Sequence, residues 1–160
     1  MIAFDLEKIL QYLRPSGAGS WTKCAAYVLA CLQSPPVPET PEDIKVREEG
    51  LACHWLAEQM LRDDAFPQAL PLRAPNGVGV DSDMLRHSAD YVGRILAAAV
   101  NRGILHIEQR VNCRTIFEGM FGSPDCYFFS LFGGLDIWDL KYGYTLVEAF
   151  KNLQLSIYAL

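Results

Sequence analysis

Two acidic residues and a lysine stand out in the stretch GSPDCYFFSLFGGLDIWDLKYG, Gly122 to Gly143, because they interrupt residues that otherwise read as buried. Asp139 and Lys141 are two apart, so on one strand their side chains leave the same face while Leu140 points into the core. Asp125 opens the preceding apolar run. A hairpin turning at Gly133-Gly134 brings it near Asp139, offset rather than directly opposite. A lone carboxylate on a half-buried strand is costly, and two close together repel unless one is protonated or a cation sits between them. Hard oxygen donors on a rigid strand suit Mg²⁺ or Mn²⁺, which keep coordination positions for water and phosphate. Lys141 is then placed to orient an attacking water or to neutralise charge on a phosphoryl oxygen. The competing reading of Asp139 and Lys141 is a solvent-facing ion pair worth about 0–1 kcal/mol.

The elements that must hold these residues follow from periodicity and breakers. Residues 3–13 and 18–32 read as helices divided by RPSGAGS, and QSPPVPETPED (33–43) is a proline-rich loop ending in a helix start. A helix over 42–63 takes its apolar content from Ile44, Leu51, Trp55 and Leu56. Residues 63–83 form a long connection, and Met84 to Asn101 an amphipathic helix with Tyr91, Ile95 and Ala99 at spacing four. From residue 104 the period changes to two. ILHIEQRVN (104–112), DCYFFSLF (125–132) and LDIWDLKY (135–142) read as three strands of a meander, and residues 145–160 close the chain as a helix. The expected class is α/β or α+β, in one domain over 1–160: mainly helical over 1–102, with sheet and closing helix over 103–160.

Hydrophobic residues at 51% and charged residues at 21% are those of a globular chain. No apolar run approaches the roughly 20 residues of a membrane span, and MIAFDLEKIL has Asp5 and Glu7 but no basic n-region. A soluble, cytoplasmic protein is expected, in the host cytoplasm if it is viral, with no membrane partner. The net charge of -5, and four Lys/Arg against six Asp/Glu over 103–160, argue against a protein that coats nucleic acid electrostatically. Local engagement through a metal stays open, since a bound ion reverses the sign of an acidic site. Five cysteines (Cys24, Cys31, Cys53, Cys113, Cys126) form no CxxC pair and are expected as reduced, mostly buried thiols.

Pro124-Asp125 followed by Asp139-Leu140-Lys141 resembles the signature of the PD-(D/E)XK nuclease superfamily. EEGLACHWLAE (48–58), GSPD (122–125), DLK (139–141) and QLSIY (154–158) are similar, in this order, to the histidine, GxxD, DxK and QxxxY motifs of its RecB-type exonuclease branch. SGAGSWTKC (16–24), EQRV (108–111) and IWDLKYG (137–143) also look like phage and prophage proteins of that branch, so the resemblance spans residue 15 to the C-terminus. It implies a restriction-endonuclease-like core, with a small mixed sheet built on the meander, flanked by helices and preceded by a helical portion. It also implies His54, Asp125 and Asp139 as metal ligands with the Leu140 backbone carbonyl, and Lys141 as the catalytic lysine. Gln154 and Tyr158 would support the site or contact nucleic acid, with secondary roles for Glu108 and Glu49. The activity implied is Mg²⁺- or Mn²⁺-dependent phosphodiester hydrolysis on DNA. An exonuclease in phage DNA processing or recombination is preferred over an endonuclease.

Several relatives hold an iron–sulfur cluster through one early cysteine and three after the QxxxY helix. Cys24 matches the first, no cysteine follows Tyr158, and no cluster is expected. A chain that ends so soon after Tyr158 is expected either to lack some substrate-binding elements or to obtain them by forming a homo-oligomer. The alternative function is a catalytically silent module that binds nucleic acid or protein on the same fold.

Overall fold

The computed structural model describes residues 5–63, 67, 72–100, 103–130, 133–143 and 147–160, which divide into two compact units. One comprises residues 39–109 and 125–147, the other residues 1–38, 110–124 and 148–160. Each draws on segments far apart in sequence. The chain is a mixture of helices and small antiparallel sheets.

In the order of the chain the helices are α1 (Leu6–Leu10), α2 (Ala18–Trp21), α3 (Tyr27–Gln33), α4 (Pro41–Asp63), α5 (Ser82–Ala99) and α6 (Leu153–Tyr158). The strands are β1 (Leu72–Arg73), β2 (Gly79–Val80), β3 (His106–Ile107), β4 (Val111–Asn112), β5 (Phe121–Gly122), β6 (Cys126–Phe129) and β7 (Leu135–Trp138).

The unit of residues 39–109 and 125–147 is built on α4 and α5. A reciprocal cap starts α4: Asp43 N–H donates to Thr40 Oγ1 at 3.1 Å and Thr40 N–H to Asp43 Oδ2 at 3.0 Å, with Pro41 at the first helical position. Asp81 caps α5 by accepting from Met84 N–H at 2.8 Å. The face α4 buries is Ala52, Cys53, Leu56, Ala57, Met60 and Leu61, and α5 answers with Met84, Ser88, Val92 and Ile95. Of the expected apolar residues of α4, Leu56 is fully buried and Trp55 packs against the core, whereas Ile44 and Leu51 are exposed and Ala52, Cys53, Ala57, Met60 and Leu61 complete the buried face. Where the two helices meet, Ser88 Oγ donates to the Cys53 carbonyl at 3.2 Å and lies 3.2 Å from the Cys53 thiol, which satisfies this buried hydroxyl.

The three-stranded sheet of this unit runs β3-β6-β7, the order of the expected meander, with both pairings antiparallel rather than mixed. Cys126 and Phe128 of β6 point into the core at 0% exposure, while Phe129 faces out. Two expectations about strands are corrected. Segment 104–112 is not one strand: it breaks at Glu108, whose φ of 50° lies in the left-handed region, into β3 and, in the other unit, β4. β7 ends at Trp138, so Asp139 and Lys141 lie just beyond it instead of within it. Within the 63–83 connection, β1 and β2 form a short hairpin around Gly77 at φ 85°; residues 64–66 and 68–71 lie outside the described residues.

In the other unit, Ala18, Cys113, Met120 and Ile157 are the buried core, with Leu10, Leu13, Trp21, Val111 and Tyr158 packed against it. The expected helix over 18–32 is interrupted between α2 and α3. The closing helix is α6 alone: Asn152 caps it, accepting from Leu155 N–H at 3.2 Å, and Lys151 before it has φ 55°. Residues 147–152 are not helical, and Val147 and Phe150 are exposed; residues 144–146 are outside the described set. The hairpin β4-β5 had no counterpart in the periodicity. Tyr158 lies so close to its Gly122 that a Cβ there would sit 2.5 Å from Tyr158 Cε1.

Candidate metal centre

The hairpin register decides where the carboxylates go. β6 and β7 pair from Cys126↔Trp138 to Phe129↔Leu135, and Ser130 N–H donates to the Gly134 carbonyl at 2.7 Å beyond them. Gly133, at φ 81°, is thus inside the loop, not one of two central residues of a tight turn. This removes the expected offset: Asp125 and Asp139 are the next residues outward from the same pair, Cys126 and Trp138.

Asp125 is held from three sides. Its Oδ1 lies 3.2 Å from His54 Nδ1, its Oδ2 accepts from the Leu140 N–H, and its carbonyl accepts from Glu108 N–H at 2.9 Å. Helix α4, the end of β3 and the end of β7 therefore converge on one residue. One ligand atom from each of His54, Glu108 and Asp125 lies within 4.8 Å of the others, and this is the group among the described residues able to share an ion. Asp139, expected as a ligand, stands beside that group, with Lys141 Nζ 2.5 Å from its Oδ2. Glu108, expected in a secondary role, takes the place in the cluster.

Between these side chains is a space of about 10 Å³, room for a single ion or water, lined by His54, Ala57, Glu58, Leu61, Tyr91, Glu108, Asp125 and Leu140. His54, Ala57, Glu58 and Leu61 are one face of α4. Sequence reasoning missed Glu58 and Tyr91. Glu58 was findable, one turn after His54, and its Oε1 accepts from Arg62 Nε at 2.8 Å. The Tyr91 hydroxyl is buried with no partner of normal hydrogen-bond geometry among the described residues, although the Cys126 thiol is close.

The electrostatics are those of crowded acids. Burial, then the charges of Asp125 and Glu58, push the Glu108 carboxyl up to about 7, against His54 and Arg62. Burial raises Asp139 as well; Lys141 pulls it back and Asp125 pushes it further up. For His54, burial acts downward. The hydrogen bond and charge of Asp125, supported by Asp139, outweigh it and hold the imidazole above its ordinary value. One imidazole and two carboxylates around an ion-sized space form a donor set that fits a divalent cation.

Glu49 is not part of this cluster. It lies 3.9 Å from Lys45 and lines a separate cleft of about 290 Å³ with Val46, Asp83, His87, Lys141, Tyr142 and Gly143. Gln154 and Tyr158 are on α6 of the other unit, where Tyr158 is packing against Gly122. Cys53, Cys113 and Cys126 are buried, Cys24 is exposed, and all five thiols are free. Among the described residues no helix is long and apolar enough to cross a membrane.

No curated protein and no solved structure matches the chain. A family model described as "Protein of unknown function (DUF2800)" matches residues 11–160, nearly the full length, and the chain belongs to that family.

Proposed function

We propose that the chain is a divalent-metal-dependent DNA nuclease that hydrolyses phosphodiester bonds, acting as an exonuclease in phage DNA processing or recombination. The observation that carries this reading is the convergence of His54, Glu108 and Asp125 on an ion-sized space, with the Asp139–Lys141 pair beside it. The proposal includes a restriction-endonuclease-like core for the unit that holds these residues. A bound ion would polarise a phosphoryl oxygen and lower the pKa of a water. The chain's own residues do the rest. The Leu140 N–H and His54 fix the Asp125 carboxylate, so it need not reorganise on binding. Lys141, more exposed than Asp139, is free on its solvent side to meet the phosphate or the attacking water. The imidazole in the donor set favours Mn²⁺ over Mg²⁺.

One observation favours the silent module. Both Asp125 oxygens and one Asp139 oxygen already have protein partners, so these carboxylates are satisfied without an ion. Incubating wild type and Lys141→Ala with linear and circular DNA, in Mg²⁺, Mn²⁺ or EDTA, separates the readings. Metal-dependent loss of linear DNA, abolished by Lys141→Ala, is the expected result. Binding without cleavage in every metal condition refutes the nuclease.

A further inference from the structure

The two units differ in charge. The unit holding the metal centre has eight Lys/Arg against fifteen Asp/Glu, and the other has six against four. In that second unit, the hairpin β4-β5 pairs Val111 with Gly122 and Asn112 with Phe121. Period two then divides it into faces. Val111 packs on the core and Gly122 lies under Tyr158, whereas Arg110, Asn112, Phe121 and Ser123 are all exposed. On the exposed face the Arg110 guanidinium stacks on Phe121, its Cζ 3.4 Å from the ring centroid, and Phe121 stays 45% exposed. Among the described residues Arg110 has no carboxylate partner, and neither does Arg114, two residues beyond β4.

We propose that this outward face of the β4-β5 hairpin is a contact for single-stranded nucleic acid, the Arg110 guanidinium meeting a phosphate and the open side of the Phe121 ring stacking on a base. An arginine laid on a ring keeps its in-plane donors for an anion, while the ring's other face can take any base. A paired duplex hides its base faces, so this chemistry selects unpaired strands. The proposal rests on the nuclease reading for its choice of partner and specifies that reading's substrate as a single-stranded region or end.

The test is fluorescence anisotropy of the full chain in EDTA with a fluorescein-labelled single-stranded oligonucleotide and the same sequence as duplex, across a salt series. Phe121→Ala is expected to weaken single-strand binding about 5- to 150-fold and duplex binding little, with Phe121→Tyr restoring it. Arg110→Gln is expected to reduce the slope of log affinity against log salt by about 0.7. Circular dichroism melts of each variant exclude unfolding as the cause. Single-strand affinity unchanged in Phe121→Ala, equal loss on single strand and duplex, or no measurable single-strand binding by the parent chain overturns the proposal. A parent that binds single strands through Phe121 but never cleaves them overturns only the nuclease reading.

Discussion

Replacing Glu108 with glutamine separates what the cluster does for binding from what it does to stability. The change keeps side-chain shape and the left-handed backbone, and removes only the charge. The gap between an ordinary 4.5 and about 7 is worth at most about 3 kcal/mol at 1.36 kcal/mol per pH unit. Glu108 has an exposed side chain, and solvent screening brings that to about 1 kcal/mol. The sign follows from linkage. Below pH 4.5 the carboxyl is protonated folded and unfolded, and there is no penalty. Between 4.5 and 7 the unfolded chain releases the proton first, so stability falls, and above 7 the full penalty stands.

In EDTA at pH 8, Glu108→Gln is therefore expected to be more stable than wild type by about 1 kcal/mol, a rise in Tm of about 2–4 °C. With Mn²⁺ at a hundred times its Kd, wild type gains about 2.7 kcal/mol, or about 5–10 °C, while the amide forfeits most of that gain. The order of the two Tm values inverts on adding metal. Thermal unfolding at pH 8, with EDTA and across a Mn²⁺ series, measures both halves. A variant that melts below wild type in EDTA refutes the crowded-acid argument, and one that gains the full metal increment removes Glu108 from the donor set.

The packing of Tyr158 on Gly122 predicts that Gly122→Ala destabilises by about 1–3 kcal/mol, since the new Cβ would also lie 3.0 Å from Pro15 Cγ. Adding Tyr158→Leu should recover part of that loss, and a double-mutant cycle by urea unfolding that proves strictly additive contradicts the contact. His54 makes a prediction of opposite pH sense to Glu108. Its raised value means that its stabilising pairing with Asp125 is fully present below pH 6.5 and is lost as pH rises through the folded value. The advantage of wild type over His54→Gln in EDTA should therefore be larger at pH 6 than at pH 8.5. A constant difference in urea midpoint would show that the imidazole is not charged against Asp125.

Helix α4 was legible from the proline-rich loop and helix start around Thr40 to Glu42, and α5 from an apolar period of 3.6 along its body. Even there the buried face of α4 was misjudged, because Ala52, Cys53 and Ala57 carry little hydrophobic weight but allow close approach. The sheet was legible in strand order and not in its breaks. An L-residue at positive φ leaves no mark in composition, so the break at Glu108 is invisible in a run that alternates cleanly. Likewise the Gly-Gly pair suggests a two-residue turn, while the bond from Ser130 to Gly134 shifts the register and brings Asp125 level with Asp139. At the site, Asp125 was picked out as a carboxylate at the head of an apolar run and His54 by resemblance, whereas Glu108 became prominent only once the chain bent there.

That bend explains why the cluster exists. An unbroken strand through residue 108 would alternate with its neighbours, and its side chain would follow the pleat of β3. At φ 50° the chain turns at Glu108 while its N–H still donates to the Asp125 carbonyl, so the backbone bond is kept as the side chain is re-aimed toward Asp125 and His54. A non-glycine residue in this region costs on the order of 1–3 kcal/mol, and the side chain it delivers is repelled by Asp125 and Glu58. Neither cost brings a packing benefit, since Glu108 itself stays exposed. Backbone strain and charge repulsion at one position, with no burial of Glu108 to offset them, support the proposal that this cluster binds a cation.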